Sequence, residues 1–368
     1  MYMVEKSGKL LCRIVLIMLL FVLCFCASCG HKEARYALDM AEKRMWDEPD
    51  SALKVLESIV MPEDLEGKEL ADYALLLTQA QYRSNIVATS DSLINIAVGY
   101  YQDKDVEKRT ASLLYKGGVL KDEEAMLVYK EAESYIPRIK DNRIVTLIYM
   151  GLGYLNQKNR NYALSIDYFK KSVAVNIVPK QVLSWKVSSI MNLANISYYW
   201  GNRDDADLYY SQLLDMVPLV DSMLQTKIYY NYGIYKSKEK EWAEAEKYVR
   251  KALDNASGDV SYRAMLLLAN LYSRTGRDGE VDSLCQYALK TSEPAVKARI
   301  YYFLYEENVA RKEYEDAVTY LSHYVLLSDT LRSQINRSEY LEIQKKYDQV
   351  VLLNKNVEIH NHWYLTII

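Results

Sequence analysis

Four histidines, five cysteines and a few acid and hydroxyl pairs are the residues through which this 368-residue chain could do chemistry. The histidines are His31, His323, His360 and His362. His360 and His362 stand two apart, so on a helix they point in different directions and make a poor metal site. His323 alone falls inside the patterned body of the chain, and no Ser/His/Asp set can be built around it. Gly151-Leu152-Gly153 lacks the third glycine and the Lys-Ser/Thr pair of a phosphate-cradling loop. Cys285 occupies a packing position and reads as a small buried hydrophobe, not a nucleophile. Asp204-Asp205 opens a helix, where carboxylates cap amides and suit the dipole. The expectation is a chain that is not an enzyme and uses no metal and no cofactor. Formal net charge is −3, with both signs mixed and no basic block, so nucleic acid has no electrostatic footprint here.

The other cysteines gather at the N-terminus. Lys6, Lys9 and Arg13 precede an unbroken apolar run over residues 14–25, too short to span a bilayer but right for an export-signal core. Cys26-Ala27-Ser28-Cys29-Gly30 follows. Small residues before a cysteine resemble the lipobox of bacterial lipoproteins, with Cys26 where that motif usually has leucine. The resemblance implies a diacylglycerol on the Cys29 thiol and removal of residues 1–28. It implies a mature chain held on a membrane and facing the periplasm. Gly30 is not a known inner-membrane retention signal, which favours the outer membrane. An ordinary signal cut after Ser28, or an uncleaved anchor, is the alternative. With Cys12, Cys24 and Cys26 removed and Cys29 acylated, Cys285 has no disulfide partner.

The elements that would position a site emerge from self-comparison. Leu152-Gly153 is followed at twelve residues by Ser165, then by Phe169 and Ser172. The same skeleton recurs as Leu193-Ala194 with Ala206, Tyr210 and Leu213, and as Tyr232-Gly233 with Ala245, Val249 and Ala252. It recurs again as Leu268-Ala269 with Val281, Cys285 and Ala288, and as Leu304-Tyr305 with Ala317, Leu321 and Tyr324. Offsets of four and seven share a helix face, and small residues let paired helices approach. Turns are expected at Asn159-Arg160-Asn161, Gly201-Asn202-Arg203 and Gly276-Arg277-Asp278. Tyrosine, at 34 residues, suits shallow seams where the ring is covered and the hydroxyl stays wet.

This pattern resembles the tetratricopeptide repeat. Gly153, Ala194, Gly233 and Ala269 stand at its first small position. Ser165, Ala206, Ala245 and Ala317 stand at its second, and Pro218 at its proline. Tyr305, Val281 and Cys285 depart from it. The resemblance implies an all-α, right-handed solenoid of helical hairpins over residues 29–326. Weaker copies are expected near Asp50-Ser51-Ala52-Leu53, Asp91-Ser92-Leu93-Ile94 and Ala125/Tyr129/Ala132, making about eight hairpins. Repeat spacings of 41, 39, 36 and 36, against a usual 34, suggest longer helices. The stretch around Pro49-Asp50-Ser51-Ala52-Leu53 looks like the opening of repeat lipoproteins of Gram-negative anaerobes. Many of that group continue into a membrane span and a signalling module.

Tetratricopeptide arrays bind peptides on the concave face lined by the first helix of each hairpin. Spacing projects Tyr154, Asn195, Tyr198, Tyr230, Asn231, Arg263, Asn270, Arg299 and Tyr302 onto that face. Asn195, Asn231 and Arg263 match places where some members clamp a carboxylate, but Met191 and Leu267 occupy the other clamp positions. The expectation is a wet, tyrosine-rich groove for a protein or peptide. Asp50-Ser51-Ala52, Asp91-Ser92-Leu93, Asp221-Ser222-Met223, Asp282-Ser283-Leu284 and Asp329-Thr330-Leu331 resemble an O-glycosylation signal of some Gram-negative gut anaerobes. The modified hydroxyls would be Ser51, Ser92, Ser222, Ser283 and Thr330. Helix capping is the plainer reading of most of these tripeptides.

Residues 327–368 change character. Tyr340, Ile343, Tyr347, Val350, Asn354 and Val357 form a heptad seam. It reads either as a cap on the last hairpin or as a helix that pairs two copies into a homodimer. The ending His362-Trp363-Tyr364-Leu365-Thr366-Ile367-Ile368 resembles the interfacial start of a membrane helix. That suggests a truncated relative of a membrane-spanning sensor. The leading function is a lipid-anchored, extracytoplasmic protein-binding scaffold or sensor domain. The alternatives are a glycan-capture lipoprotein of a nutrient uptake system and, more remotely, an enzyme.

Overall fold

The computed structural model describes residues 32–333 other than 61, 87, 89, 177–182, 255–257 and 292, together with residue 337. Cys29, the heptad seam and the aromatic C-terminus lie outside the described residues. Among the described residues there is no strand, and sixteen α-helices follow one another. They are α1 (32–44), α2 (Pro49–Glu57), α3 (Gly67–Arg83), α4 (Ser92–Tyr100), α5 (Val106–Val119), α6 (Asp122–Tyr135), α7 (Asn142–Lys158) and α8 (Tyr162–Ala174). Then come α9 (Leu183–Tyr199), α10 (Arg203–Met216), α11 (Ser222–Lys238), α12 (Trp242–Asp254), α13 (Gly258–Arg274), α14 (Asp278–Thr291), α15 (Pro294–Arg311) and α16 (314–333). No helix among the described residues is long and apolar enough to cross a membrane. The chain divides into two compact units, Met1–Leu155 and Asn156–Ile368, with the division inside α7.

In the second unit, the twelve-residue offset has a backbone cause. Each hairpin turn holds one residue in the left-handed region: Arg160 (φ 60°), Gly201 (85°), Lys240 (63°), Gly276 (73°) and Lys312 (64°). The next amide reaches back five residues to a helix carbonyl. The bonds are Asn161 N to Asn156 O at 2.8 Å, Asn202 N to Ser197 O at 2.9 Å and Glu241 N to Lys236 O at 3.0 Å. Arg277 N to Tyr272 O at 2.9 Å and Glu313 N to Asn308 O at 2.8 Å complete the series. A second bond, from the left-handed residue's own amide to the carbonyl three residues back at 3.0–3.1 Å, accompanies each, which makes every turn a Schellman motif. Ser165, Ala206, Ala245, Val281 and Ala317 then donate the first bond of the following helix. The turn therefore sets the distance from one small residue to the next, whatever side chains it carries.

Repeat length varies elsewhere. The first helices α7, α9, α11 and α13 are all 17 residues long although their repeats differ in length. The described extent of these helices therefore does not follow the repeat spacing. Among the described residues, 217–221 separate α10 from α11. Two prolines stop helices. Pro218 ends α10 in a short tight turn, Val217–Leu219, and Pro137 ends α6 the same way.

The small positions are buried as the pattern requires: Ser165, Ala206, Ala245 and Val281 are fully covered. At Gly233 a Cβ would stand 2.6 Å from Val249 Cγ2, so α11 and α12 meet at backbone distance. Tyr210, 1% exposed, stacks on Tyr235 with ring centroids 4.7 Å apart, and its hydroxyl donates to Asn195 Oδ1 at 2.5 Å. The tyrosine-rich seam is thus ring-in and hydroxyl-bonded. The first unit uses tyrosine against glycine instead. A Cβ on Gly151 would lie 2.6 Å from the Tyr129 ring.

Helix starts differ from the expectation in one respect. Only the tripeptide at Asp221 is a side-chain cap, its carboxylate accepting Leu224 N at 2.9 Å. Asp91 holds the cap position of α4 without capping an amide, and its carboxylate takes Asn95 Nδ2 instead. Asp50 lies in the first turn of α2 and accepts the Ser84 hydroxyl. Asp282-Ser283 and Asp329-Thr330 fall inside α14 and α16, where Ser283 and Thr330 bond back to carbonyls four residues earlier. Asn202, not Asp204-Asp205, caps α10, accepting Asp205 N at 3.2 Å. Ser92, Ser222, Ser283 and Thr330 are exposed, and Ser51 is half-buried.

Candidate functional site

The second unit carries a groove of about 820 Å³, lined chiefly by the first helices of successive hairpins. Each helix contributes one stripe at a spacing of three and four residues. Tyr230, Ile234 and Lys238 come from α11. Arg263, Leu267, Asn270 and Arg274 come from α13, and Arg299, Tyr302 and Glu306 from α15. Tyr198 of α9 and Tyr324 of α16 flank them, and Trp242, the first residue of α12, enters from the turn.

Charge and aromatic surface coincide. Five cationic side chains line the groove, Lys238, Lys240, Arg263, Arg274 and Arg299, against one acid, Glu306. Lys238, Lys240 and Arg299 are exposed and make no side-chain ion pair among the described residues. Arg274 is set in place: its Nε donates to Asn270 Oδ1 at 3.0 Å, and its guanidinium lies 5.7 Å from the Trp242 ring. Tyr302 and Tyr324 tilt against each other at 5.1 Å. The negative charge of Glu306 raises the Tyr302 hydroxyl above its ordinary range, and burial raises that of Tyr198. The phenols therefore stay neutral donors at physiological pH. Such a wall can stack on apolar or aromatic groups while the cations hold carboxylates.

Of the nine residues projected from spacing, Tyr198, Tyr230, Arg263, Asn270, Arg299 and Tyr302 line this groove. Asn195 and Asn231 do not. They bond to each other at 3.4 Å, Asn195 accepts the Tyr210 hydroxyl, and Asn231 Nδ2 donates to Lys227 O. They bracket the seam between α9, α10 and α11. Tyr154 belongs to the first unit. Among the residues the projection missed are Ile234, Arg274, Glu306, Lys238, Lys240, Tyr324 and Trp242. The first three lie four residues further along stripes already identified, so extending each stripe by one turn would have found them. Trp242 comes from a second helix, and no spacing rule for the first helix reaches it.

Cys285 is 2% exposed, and burial pushes its thiol up to about 12, so it is not a thiolate near neutral pH. His323 lies against Tyr301 at 4.9 Å. Among the described residues no group of three or more His, Cys, Asp or Glu is placed to hold a metal ion.

No protein-family model matches the chain. It is 24% identical over 229 residues to Regulatory protein RapD of Bacillus subtilis (strain 168), an alignment covering 60% of this chain and 64% of that protein. Among solved structures, the apo form of RapI superposes with a TM-score of 0.62 at 12% identity, over 84% of this chain and 92% of that one. The fold is a tetratricopeptide-like helical-hairpin solenoid. A Rap protein complexed with competence and sporulation factor superposes at 0.53 and 15% identity, over 82% and 99% of the two chains. The apo quorum sensor NprR from B. thuringiensis gives 0.53 and 11%, over 81% and 99%. The curated match is regulatory, the solved ones include a complex with a named factor, and none of these names a catalysed reaction.

Proposed function

We propose that the second unit is a receptor groove for an extended, negatively charged peptide segment, and that the protein works by binding, not catalysis. The observation that carries this reading is the excess of cations over a continuous aromatic and aliphatic wall, with Lys238, Lys240 and Arg299 uncommitted. An acidic segment with aromatic or aliphatic side chains satisfies both halves of that surface. The complexes of similar solenoids with a sporulation factor and with the peptide NprX support a peptide ligand. The repeat solenoid of residues 29–326 would act as the receptor part of a scaffold or sensor.

The proposed setting is a membrane-anchored one. Residues 1–28 are a signal, Cys29 carries the lipid, and the mature protein faces the periplasm from the outer membrane. More than one acyl chain makes such an anchor stable, each buried methylene adding about 0.8 kcal/mol. Cys29→Ser with metabolic palmitate labelling tests it. Label in the wild-type chain and none in the variant is expected, and an unlabelled wild-type chain overturns the anchor. Exposed Ser92, Ser222, Ser283 and Thr330 are accessible to O-glycosylation, and intact-mass measurement reads it directly. The heptad seam of residues 327–368 would cap the last hairpin or pair two copies, which sedimentation at two concentrations separates.

The groove is tested with a peptide array of acidic, basic and neutral twelve-residue sequences, followed by titration of the best binder. Acidic sequences with an aromatic residue are expected to win. Lys238→Ala with Arg299→Ala should weaken binding about tenfold, with a marked salt dependence. Capture of neutral polysaccharide with no peptide preference would replace this reading with glycan capture.

A further inference from the structure

The first unit holds a smaller pocket of opposite character. It measures about 140 Å³ and lies among α1, α3, α5 and the start of α7. That is below the range of sites for whole small molecules, and it has room for one side chain. Its floor is apolar, formed by Met45, Leu76 and Ile144. Its polar lining is mostly acidic: Glu42, Asp72, Glu107 and Asp141 against Lys108.

Asp72 accepts from Lys68 at 2.6 Å, from Tyr101 at 2.5 Å and from Lys108. Asp141 is held on both oxygens by the Arg143 guanidinium. Arg83 donates to the Met45 and Trp46 carbonyls, at 3.1 and 2.9 Å. The cations around the pocket are thus committed to anions or carbonyls. Two carboxylates keep acceptor capacity. Glu107 uses one oxygen, for Lys140 N at 2.6 Å, and Glu42 has only Lys108 at 4.0 Å. Independently of the acids, Gln79 lines the pocket at 7% exposure, and its amide has no hydrogen-bond partner among the described residues. Its side chain is nearly covered, and its amide keeps both donor and acceptor capacity for a group that enters the pocket.

We propose that this pocket is a second binding site, one that receives the cationic side chain of a basic peptide segment. The alkyl stem of a lysine or arginine lies on the Met45, Leu76 and Ile144 floor. Its charged head takes the unused capacity of Glu42, Glu107 and the Gln79 carbonyl.

The probe is acetyl-Gly-Lys-Gly-amide, whose only charge is the side-chain ammonium, with its norleucine counterpart as the uncharged control. Both are titrated by calorimetry into the whole protein at low salt. The lysine peptide is expected to bind at least about tenfold more tightly than the norleucine one, the difference that charge-assisted hydrogen bonds make. Gln79→Leu should remove most of that preference. Glu42→Gln with Glu107→Gln, at the rim, should do the same without disturbing the fold, which circular dichroism checks. Equal binding of the two peptides, no saturable binding, or a preference that survives the rim double substitution overturns the site. Lys238→Ala with Arg299→Ala should leave lysine-peptide binding unchanged, so the failure of one site is distinguishable from the failure of the other.

Discussion

The two units build helical hairpins by different means. In the second, five hairpins close through the same left-handed turn and the same backbone bond, and the groove is broad, aromatic and cationic. In the first, one such turn recurs, at Asn85, where Ile86 N reaches Gln81 O at 2.8 Å. The junction from α5 to α6 lacks that turn, with a left-handed residue, Asp122, at the start of α6 itself. There side-chain networks carry more of the organisation: the Asp72 cluster, and Trp46 covered by Arg83 at 4.7 Å and Arg143 at 4.2 Å. Register can thus be held by backbone geometry, which tolerates many side chains, or by specific polar residues, which cannot be exchanged so freely.

The largest loss in the second unit is expected at Tyr210. Removing its ring with Tyr210→Ala deletes a stacked, fully buried aromatic and leaves Asn195 short of a donor. A loss of about 3–5 kcal/mol is expected, read by chemical denaturation. Hydrogen exchange should show the loss in the second unit and leave the first protected. Protection lost equally in both units would mean that they unfold as one.

The counterpart in the first unit is Asp72→Asn, expected to cost about 1.5–3 kcal/mol because a buried charge partner of Lys108 is lost. Burial pushes the Asp72 carboxyl up, but hydrogen bonds from Lys108, Lys68 and Tyr101 outweigh it and hold the group below its ordinary value of 3.8. A carboxyl lowered on folding contributes stability above its unfolded pKa and loses it as pH falls through the folded one. The wild-type protein should therefore lose this contribution only below about pH 4, and Asp72→Asn should flatten that part of the stability curve. A curve unchanged by the substitution would show that Asp72 is not coupled to folding.

Gly233→Ala sharpens the contrast inside the second unit. Val249 must give way to the added carbon, and about 1–3 kcal/mol is expected in thermal unfolding. The smallest effect is expected at Lys312, a non-glycine residue in the left-handed region. Lys312→Gly relieves that conformation and should stabilise by about 0.5 kcal/mol after the entropy of glycine is counted. A neutral or destabilising result would show that the lysine side chain contributes at the turn.

Much of this was legible in the residues because its cause is local. The small-residue skeleton from Gly153 to Ala317 follows from helix faces and one turn geometry, both of which leave a periodic trace. Six of the nine positions projected from that periodicity line the groove. The remainder failed for physical reasons. Asn195 and Asn231 share a face with the groove, but a tyrosine from the neighbouring helix claims them, and only packing decides that. Trp242 reaches the groove from another helix. Gln79 and Glu107 stand 28 positions apart on helices whose repeats are too degenerate to align, so no spacing joined them.

The uniform turn also bears on how such a chain can lengthen and diverge. Its five left-handed positions hold two glycines and three exposed-turn cations, Arg160, Lys240 and Lys312, none of them a buried side chain that the register depends on. A duplicated hairpin inserted at a link would arrive with its internal register already solved, because that register needs almost no information from side chains. Mutation could then rewrite the exposed stripes of the copy, altering what it binds, long before it endangered how the copy folds.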